Sequence, residues 1–356
     1  MKCETIEGSP APDSFVPETP PTSSPTPLAT EASPLKKKLK TALAWALGVS
    51  LLAWLLHHVP FDEAMAALAR PSALTWSLTL AGLLGSYALR SARLQVVLDL
   101  DRHHRPPRRW LGLRTDALRV ILMHNAAVNL LPMRAGELSF PWLASRELNY
   151  PVSRAVACLM WMRLQDLSVL CLLGVLLWPG LPLAWRGAGL LVMALGWWAL
   201  SRLLRLWFER HPMHANAQHP SGWRGHLLRL REALLEPAHH RPAAWLLTLS
   251  NWALKLAAGA GLLSAISGAP WLHAWAGALG GELAAIVPLQ GPAGFGTYEA
   301  GVWAGMAASL PSGSGELKQA IAAALALHVC FLLCAVLAGL LAFVLSRLQP
   351  RPGAHG

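Results

Sequence analysis

Between residues 41 and 346 the chain carries apolar runs at 41–59, 73–98, 155–178, 183–206, 243–266 and 317–346. Each is long enough for one helix to cross a hydrocarbon core of about 30 Å. Inside lipid every backbone amide must find its partner within the protein, which leaves helices or closed barrels, and uninterrupted runs of this length select helices. Composition agrees: 54% of the residues are hydrophobic and 14% are charged, with 17 Trp. A soluble domain carries about 25% charged residues. The expected fold is an all-α polytopic membrane protein with about 6–8 transmembrane helices and one or two re-entrant or broken helical segments.

The net charge of +11 takes its meaning from its placement. Lys and Arg concentrate in loops at 36–40, 102–114 and 202–241, which orients a membrane protein rather than forming a nucleic-acid surface. "KKKLK" at 36–40 precedes the first run, so the N-terminus is expected in the cytoplasm. Residues 1–35 are rich in Pro, Ser and Thr and have almost nothing to bury, the composition of a disordered tail. The membrane domain is expected at 36–348, with a short tail at 349–356.

Cys158, Cys171, Cys330 and Cys334 fall inside apolar runs and read as small core residues. No CxxC or Cys/His metal spacing occurs, and neither Walker motif nor nucleophile elbow is present, so no metal, no cofactor and no enzymatic activity are expected.

The loops at 102–114 and 202–241 both belong on the cytoplasmic side, and the hairpin of runs at 155–178 and 183–206 fits between them. Residues 115–131 are apolar enough to enter the membrane, yet the chain must lie inside both before and after them. A re-entrant element resolves the parity, with "NLLPMRAGELSF" as its turn or return limb, because Pro132 and Gly136 interrupt helix geometry. Irregular backbone at membrane depth persists only where it lines a cavity or is covered by protein. The second half repeats the pattern: pieces at 271–289 and 295–310 meet at "PLQGPAGFGTYEAG", as two spans or a second re-entrant hairpin. Interrupted segments at corresponding places in two halves point to a transport site.

Ionisable residues inside apolar runs cost about 2.5–3.5 kcal/mol each on insertion scales and are functional candidates. Arg134 and Glu137 sit in the first break, Arg163 and Asp166 in "CLMWMRLQDLSVL", Lys255 in the middle of its run, and Glu282 and Glu299 beside the second break. Arg163 and Asp166, three apart on a helix, also have the spacing for simple mutual neutralisation. Lys255 has no acidic neighbour at helical spacing and needs a partner from elsewhere: Asp166, Glu282 or a ligand phosphate. Gly294 and Gly296 allow a bend and a close approach to a headgroup ahead of a helix starting near Thr297, whose first N–H groups suit an anion. His124 and His328 lie in apolar stretches without ligand spacing to an acid.

Two stretches resemble one family. "NLLPMRAGELSFPWLASRELNYPVSRAVACLMWMRLQDLSVL" is similar to the signature of the lysylphosphatidylglycerol synthase transmembrane region, also called flippase-like: an Asn, Pro-x-Arg-x-Gly-Glu, and an Arg-x-x-Asp in the next span. "GPAGFGTYEAG" is similar to its C-terminal Pro/Gly-rich turn ending in Gly-Thr-x-Glu. The resemblance covers roughly 41–346 and places Asn129, Pro132, Arg134, Gly136, Glu137, Arg163, Asp166, Gly294, Gly296 and Glu299 on motif positions. Phe140 and Pro141 stand where the family usually has another Arg, and Met162 where it commonly has an acid; both changes lower polarity near the site.

What the resemblance implies is a multi-pass protein of the bacterial inner membrane that moves or binds a phosphate-bearing lipid, a phospholipid or a polyprenyl phosphate. With the chain ending at Gly356, a stand-alone translocation module is expected rather than an aminoacyl transferase. The expected substrate-binding set is Asn129, Arg134, Glu137, Arg163, Asp166, Lys255, Glu282, Gly294, Gly296, Thr297 and Glu299. A non-catalytic lipid-binding scaffold is the alternative, and an integral membrane enzyme acting on a lipid headgroup a third. A homo-oligomer is compatible with the sequence, and no nucleic-acid partner is expected.

Overall fold

The computed structural model describes residues 61–100, 109–110, 112–131, 136–210, 236–286 and 292–348. The run at 41–59 and the tails therefore lie outside the described residues. The described chain is helical apart from a two-residue antiparallel ribbon, β1 (Arg109–Trp110) with β2 (Leu113–Arg114). A short helix α1 (Phe61–Leu68) leads into α2 (Ala73–Val97), whose start is capped by the Ser72 hydroxyl accepting from the Thr75 N–H at 3.2 Å.

Then the chain breaks. α3 (Thr115–Leu130, 16 residues) and α4 (Ser139–Leu148, 10 residues) are followed by α5 (Val152–Leu177) and α6 (Leu183–Arg210). After a 3₁₀ turn at Pro237–His240 come α7 (Pro242–Ser267), α8 (Trp271–Ala284, 14 residues), a turn at Pro292–Gly294, α9 (Thr297–Ala307, 11 residues) and α10 (Gly315–Leu348).

Among the described residues, four helices are long and apolar enough to cross a membrane: Val152–Leu177, Leu183–Leu203, Pro242–Ser267 and Gly315–Arg347. α2 matches them in length, at 25 residues, but carries Arg90 and Arg93. The apolar surface is arranged for lipid. Leu183, Trp185, Val192 and Trp198 of α6 are each at least 66% exposed, and α10 presents Val329, Leu333, Leu340 and Phe343 outward.

α3, α4, α8 and α9 are too short to cross about 30 Å alone, since 16 residues of helix reach about 24 Å. They fold instead as two antiparallel hairpins. In the first, Arg119 pairs with Glu147 at 3.0 Å and His124 meets Ser139 at 3.1 Å. Gly136 lies so close to the Ala127 backbone that no Cβ would fit. In the second, Gly280 faces the Gly301 carbonyl and Gly281 faces the Tyr298 ring, contacts that likewise leave no space for a side chain. The pieces at 271–310 thus form one hairpin of half-length helices.

The order long, short, short, long therefore occurs twice, in α2–α5 and α7–α10, with α6 between. The corresponding helices α2 and α7 pack antiparallel, tied at one end by Arg241 donating to both Asp99 oxygens at 2.9 and 3.1 Å and at the other by Arg70 donating to the Ile266 carbonyl at 3.0 Å. This is the relation that inverted repeats have. Leu83, Leu122, Leu170, Leu256, Leu279 and Leu327 fill the core where the halves meet.

Candidate functional site

Both hairpins turn toward one cavity of about 1320 Å³, lined from α2, α3, α5, α6, α7, α8, α9 and α10. Its wall joins the two sequence motifs: Asn129, Glu137, Arg163 and Asp166 from one, Gly294 and Thr297 from the other, with Lys255 and Glu282 between them. Most of the rest is apolar or aromatic, and Trp161, Trp197, Trp198 and Trp245 cluster on the α6 side.

The charges are held in separate groups. Asp166 of α5 accepts from Arg93 of α2 at 2.5 Å and from the Trp252 indole N–H at 2.9 Å. Arg93 also donates to the Thr248 hydroxyl at 3.0 Å. Arg163, one helical turn before Asp166, reaches it at 3.4 Å but makes its shorter contact to Glu137 at the start of the first hairpin's return limb, at 2.5 Å. Arg163 thereby fixes that limb to α5.

Lys255 of α7 is neutralised by Glu282 of α8 at 2.7 Å, and its ammonium lies 4.6 Å from the centre of the Phe331 ring. Glu299 is fully buried behind the cavity wall: one oxygen meets His328 Nδ1 at 2.6 Å, the other accepts the Gly296 N–H at 2.6 Å. The first N–H ahead of α9 is thus taken up internally by Glu299. His328 Nε2 in turn lies 2.9 Å from the Ala293 carbonyl.

Arg90 differs from Arg163 and Lys255, the other half-buried cations in the wall. Its guanidinium donates to Asn125 Oδ1 at 2.9 Å and Asn251 Oδ1 at 3.3 Å, and its face lies 5.4 Å from the Trp252 ring centre. Among the described residues no carboxylate pairs with it. Because arginine can only donate, both amide oxygens must turn to it. The Asn125 and Asn251 NH₂ groups are consequently left buried without partners, and Tyr298, another wall residue, has its buried hydroxyl unpartnered. Donors at this corner exceed acceptors.

Most of the expected set thus meets at one place. Asn129 lines the cavity while donating to the Asn125 carbonyl at 2.7 Å. Gly296 and Glu299 stand just behind the wall, Gly296 with φ 83°. Arg134 and Pro132 lie outside the described residues. Arg90, Arg93, Asn125, Asn251 and Tyr298 are additions. "YALRSARLQVV" places Arg90 and Arg93 three apart, on one helix face with Tyr87, a signal that proximity to the end of the run hides as ordinary interfacial basicity. Among the described residues no three His, Cys, Asp or Glu side chains gather as a metal site.

The model of one known family, the lysylphosphatidylglycerol synthase TM region, matches residues 41–347. No curated protein matches the chain.

Proposed function

We propose that this chain, which belongs to the lysylphosphatidylglycerol synthase transmembrane-region family, binds the phosphate of a membrane lipid at Arg90 and moves that lipid between leaflets. A multi-pass membrane protein with a lipid-related role is the premise; translocation, the bacterial inner membrane as its location, a cytoplasmic N-terminus and the absence of catalysis are parts of the proposal. The observation that carries it is a cation in the cavity wall that, among the described residues, meets amide oxygens and an indole ring but no carboxylate, beside buried NH₂ groups without acceptors.

Charge counting supports an anionic ligand. Arg90, Arg163, Arg205 and Lys255 line the wall with Glu137, Asp166 and Glu282, and Arg93 pairs with Asp166 behind it, five cations to three carboxylates among the described residues. A phosphate oxygen at Arg90 would supply the missing charge and accept from the amide groups. The apolar and tryptophan-rich wall toward α6 suits acyl or polyprenyl chains.

Native mass spectrometry of the detergent-purified protein, wild type beside Arg90→Gln, tests the site. Hydrogen bonds to charged groups contribute about 1.5–3 kcal/mol each, so Arg90→Gln should weaken retention of an anionic phospholipid or polyprenyl phosphate about ten- to hundredfold. Equal retention by both proteins would remove Arg90 from the site. No selective lipid on either would favour the scaffold reading.

A further inference from the structure

We propose that His328 and Glu299 form a proton-binding site whose occupancy decides whether the Ala293–Gly296 turn stays fastened to the cavity wall. The inference goes beyond the lipid reading and does not depend on it.

Hydrogen-bond chemistry carries the argument. The Ala293 carbonyl can only accept, so His328 Nε2, 2.9 Å away, carries a hydrogen. His328 Nδ1 and Glu299 Oε1 are 2.6 Å apart, a separation that requires a proton between them. That proton sits either on nitrogen, giving imidazolium beside carboxylate, or on oxygen, giving imidazole beside carboxylic acid. Both arrangements hold one titratable proton and are neutral overall. The second carboxyl oxygen accepts the Gly296 N–H at 2.6 Å in either case.

Release of the proton to water leaves a neutral imidazole, a carboxylate and one net negative charge. Two lone pairs would then face each other across 2.6 Å. Moving the remaining hydrogen from Nε2 to Nδ1 restores that contact but turns a lone pair on the Ala293 carbonyl. One of the two fastenings must therefore be lost. Both belong to a turn whose backbone is already unusual: Ala293 has φ 52°, Gly294 φ 85° and Gly296 φ 83°. A non-glycine residue in the left-handed region persists when its surroundings impose it, and here the His328 ring holds Ala293 directly. Gly294 and Thr297 line the cavity, so loosening the turn reshapes the wall.

The groups facing the pair leave its own proton as the one that acts on the turn. From α9 comes the Tyr298 ring, 5.2 Å from the imidazole; Lys255 of α7 and Glu282 of α8 neutralise each other; Tyr87 and Arg90 of α2, and Arg163, Asp166 and Glu137 beyond them, face the same cavity. Of these, none forms an ion pair with His328 or Glu299 among the described residues.

The test is amide hydrogen exchange of a peptide covering 292–297, on the full chain in detergent between about pH 5 and 9, corrected for the intrinsic pH dependence of exchange. Glu299→Gln keeps both contacts with the imidazole neutral, its NH₂ donating to Nδ1 and its oxygen accepting from Gly296, so a rise in pH breaks neither. Wild type should lose protection by about tenfold beyond the intrinsic change as pH rises, while Glu299→Gln stays flat. His328→Gln leaves Glu299 ionisable but removes the imidazole that must give up one of its two contacts, and should also lack this loss. An excess pH dependence equal in wild type and either variant would overturn the proposal. So would its absence in wild type, whatever the variants do.

Discussion

The two broken hairpins each bring a glutamate to their turn, Glu137 ahead of α4 and Glu299 in the first turn of α9, but give it different partners. Glu137 makes its short contact, 2.5 Å, to Arg163, a cation that does not give up its proton, with His124 Nε2 farther off at 4.0 Å, in a group that also holds Asp166 and Arg93. Glu299 meets His328, whose charge can change. The same position in the two halves is thus a fixed ion-pair anchor in one and a proton-dependent latch in the other. If the halves move against each other during transport, the α3/α4 side is built to stay and the α8/α9 side to let go.

Substitutions that remove the basic partner should separate the two sides most clearly. Arg93→Leu leaves the Asp166 carboxylate in a buried setting, with side-chain exposures of 6% for Arg93 and 10% for Asp166. A loss of about 3–5 kcal/mol of stability is expected, read from thermal or denaturant unfolding in detergent. His328→Leu should cost less, about 2–3 kcal/mol, because Glu299 loses one partner and keeps the Gly296 N–H on its other oxygen. Equal losses in the two variants would erase the distinction between anchor and latch.

A smaller effect comes from a histidine with no acid beside it. His239, in the turn before α7, is fully buried against Trp161 with both ring nitrogens unpartnered, and burial pushes its pKa down to about 4. With the folded value below the ordinary value of about 6.5, its contribution is complete above pH 6.5 and is lost as pH falls toward 4. Wild type should lose about 2 kcal/mol at pH 5 through this residue. His239→Phe, which keeps a ring against Trp161, should flatten that acid limb and leave the alkaline response of the 292–297 turn unchanged.

Much of this arrangement was legible in the sequence because run length and loop charge are local signals. The breaks near Pro132 and near Gly294 were visible from parity and from helix-interrupting residues. Pairings across helices were not legible. Arg163 and Asp166 look like a self-contained pair, yet the shortest contact of each goes elsewhere, to Glu137 and to Arg93. Lys255 had three candidate partners, and the fold selects Glu282. Arg90 was hidden because a basic residue near the end of an apolar run is usually interfacial; what sets it apart is two asparagines on α3 and α7, 35 and 161 residues away.

The most direct test of lipid movement is a leaflet-exchange assay. The full chain would be reconstituted into vesicles with a head-labelled anionic phospholipid, and the outer label destroyed by a membrane-impermeant reductant. Wild type should let bleaching continue past the outer leaflet toward completion, and Arg90→Gln should slow that second phase about tenfold or more. Bleaching that stops at the outer leaflet with wild type, or proceeds equally in both proteins, would contradict the account.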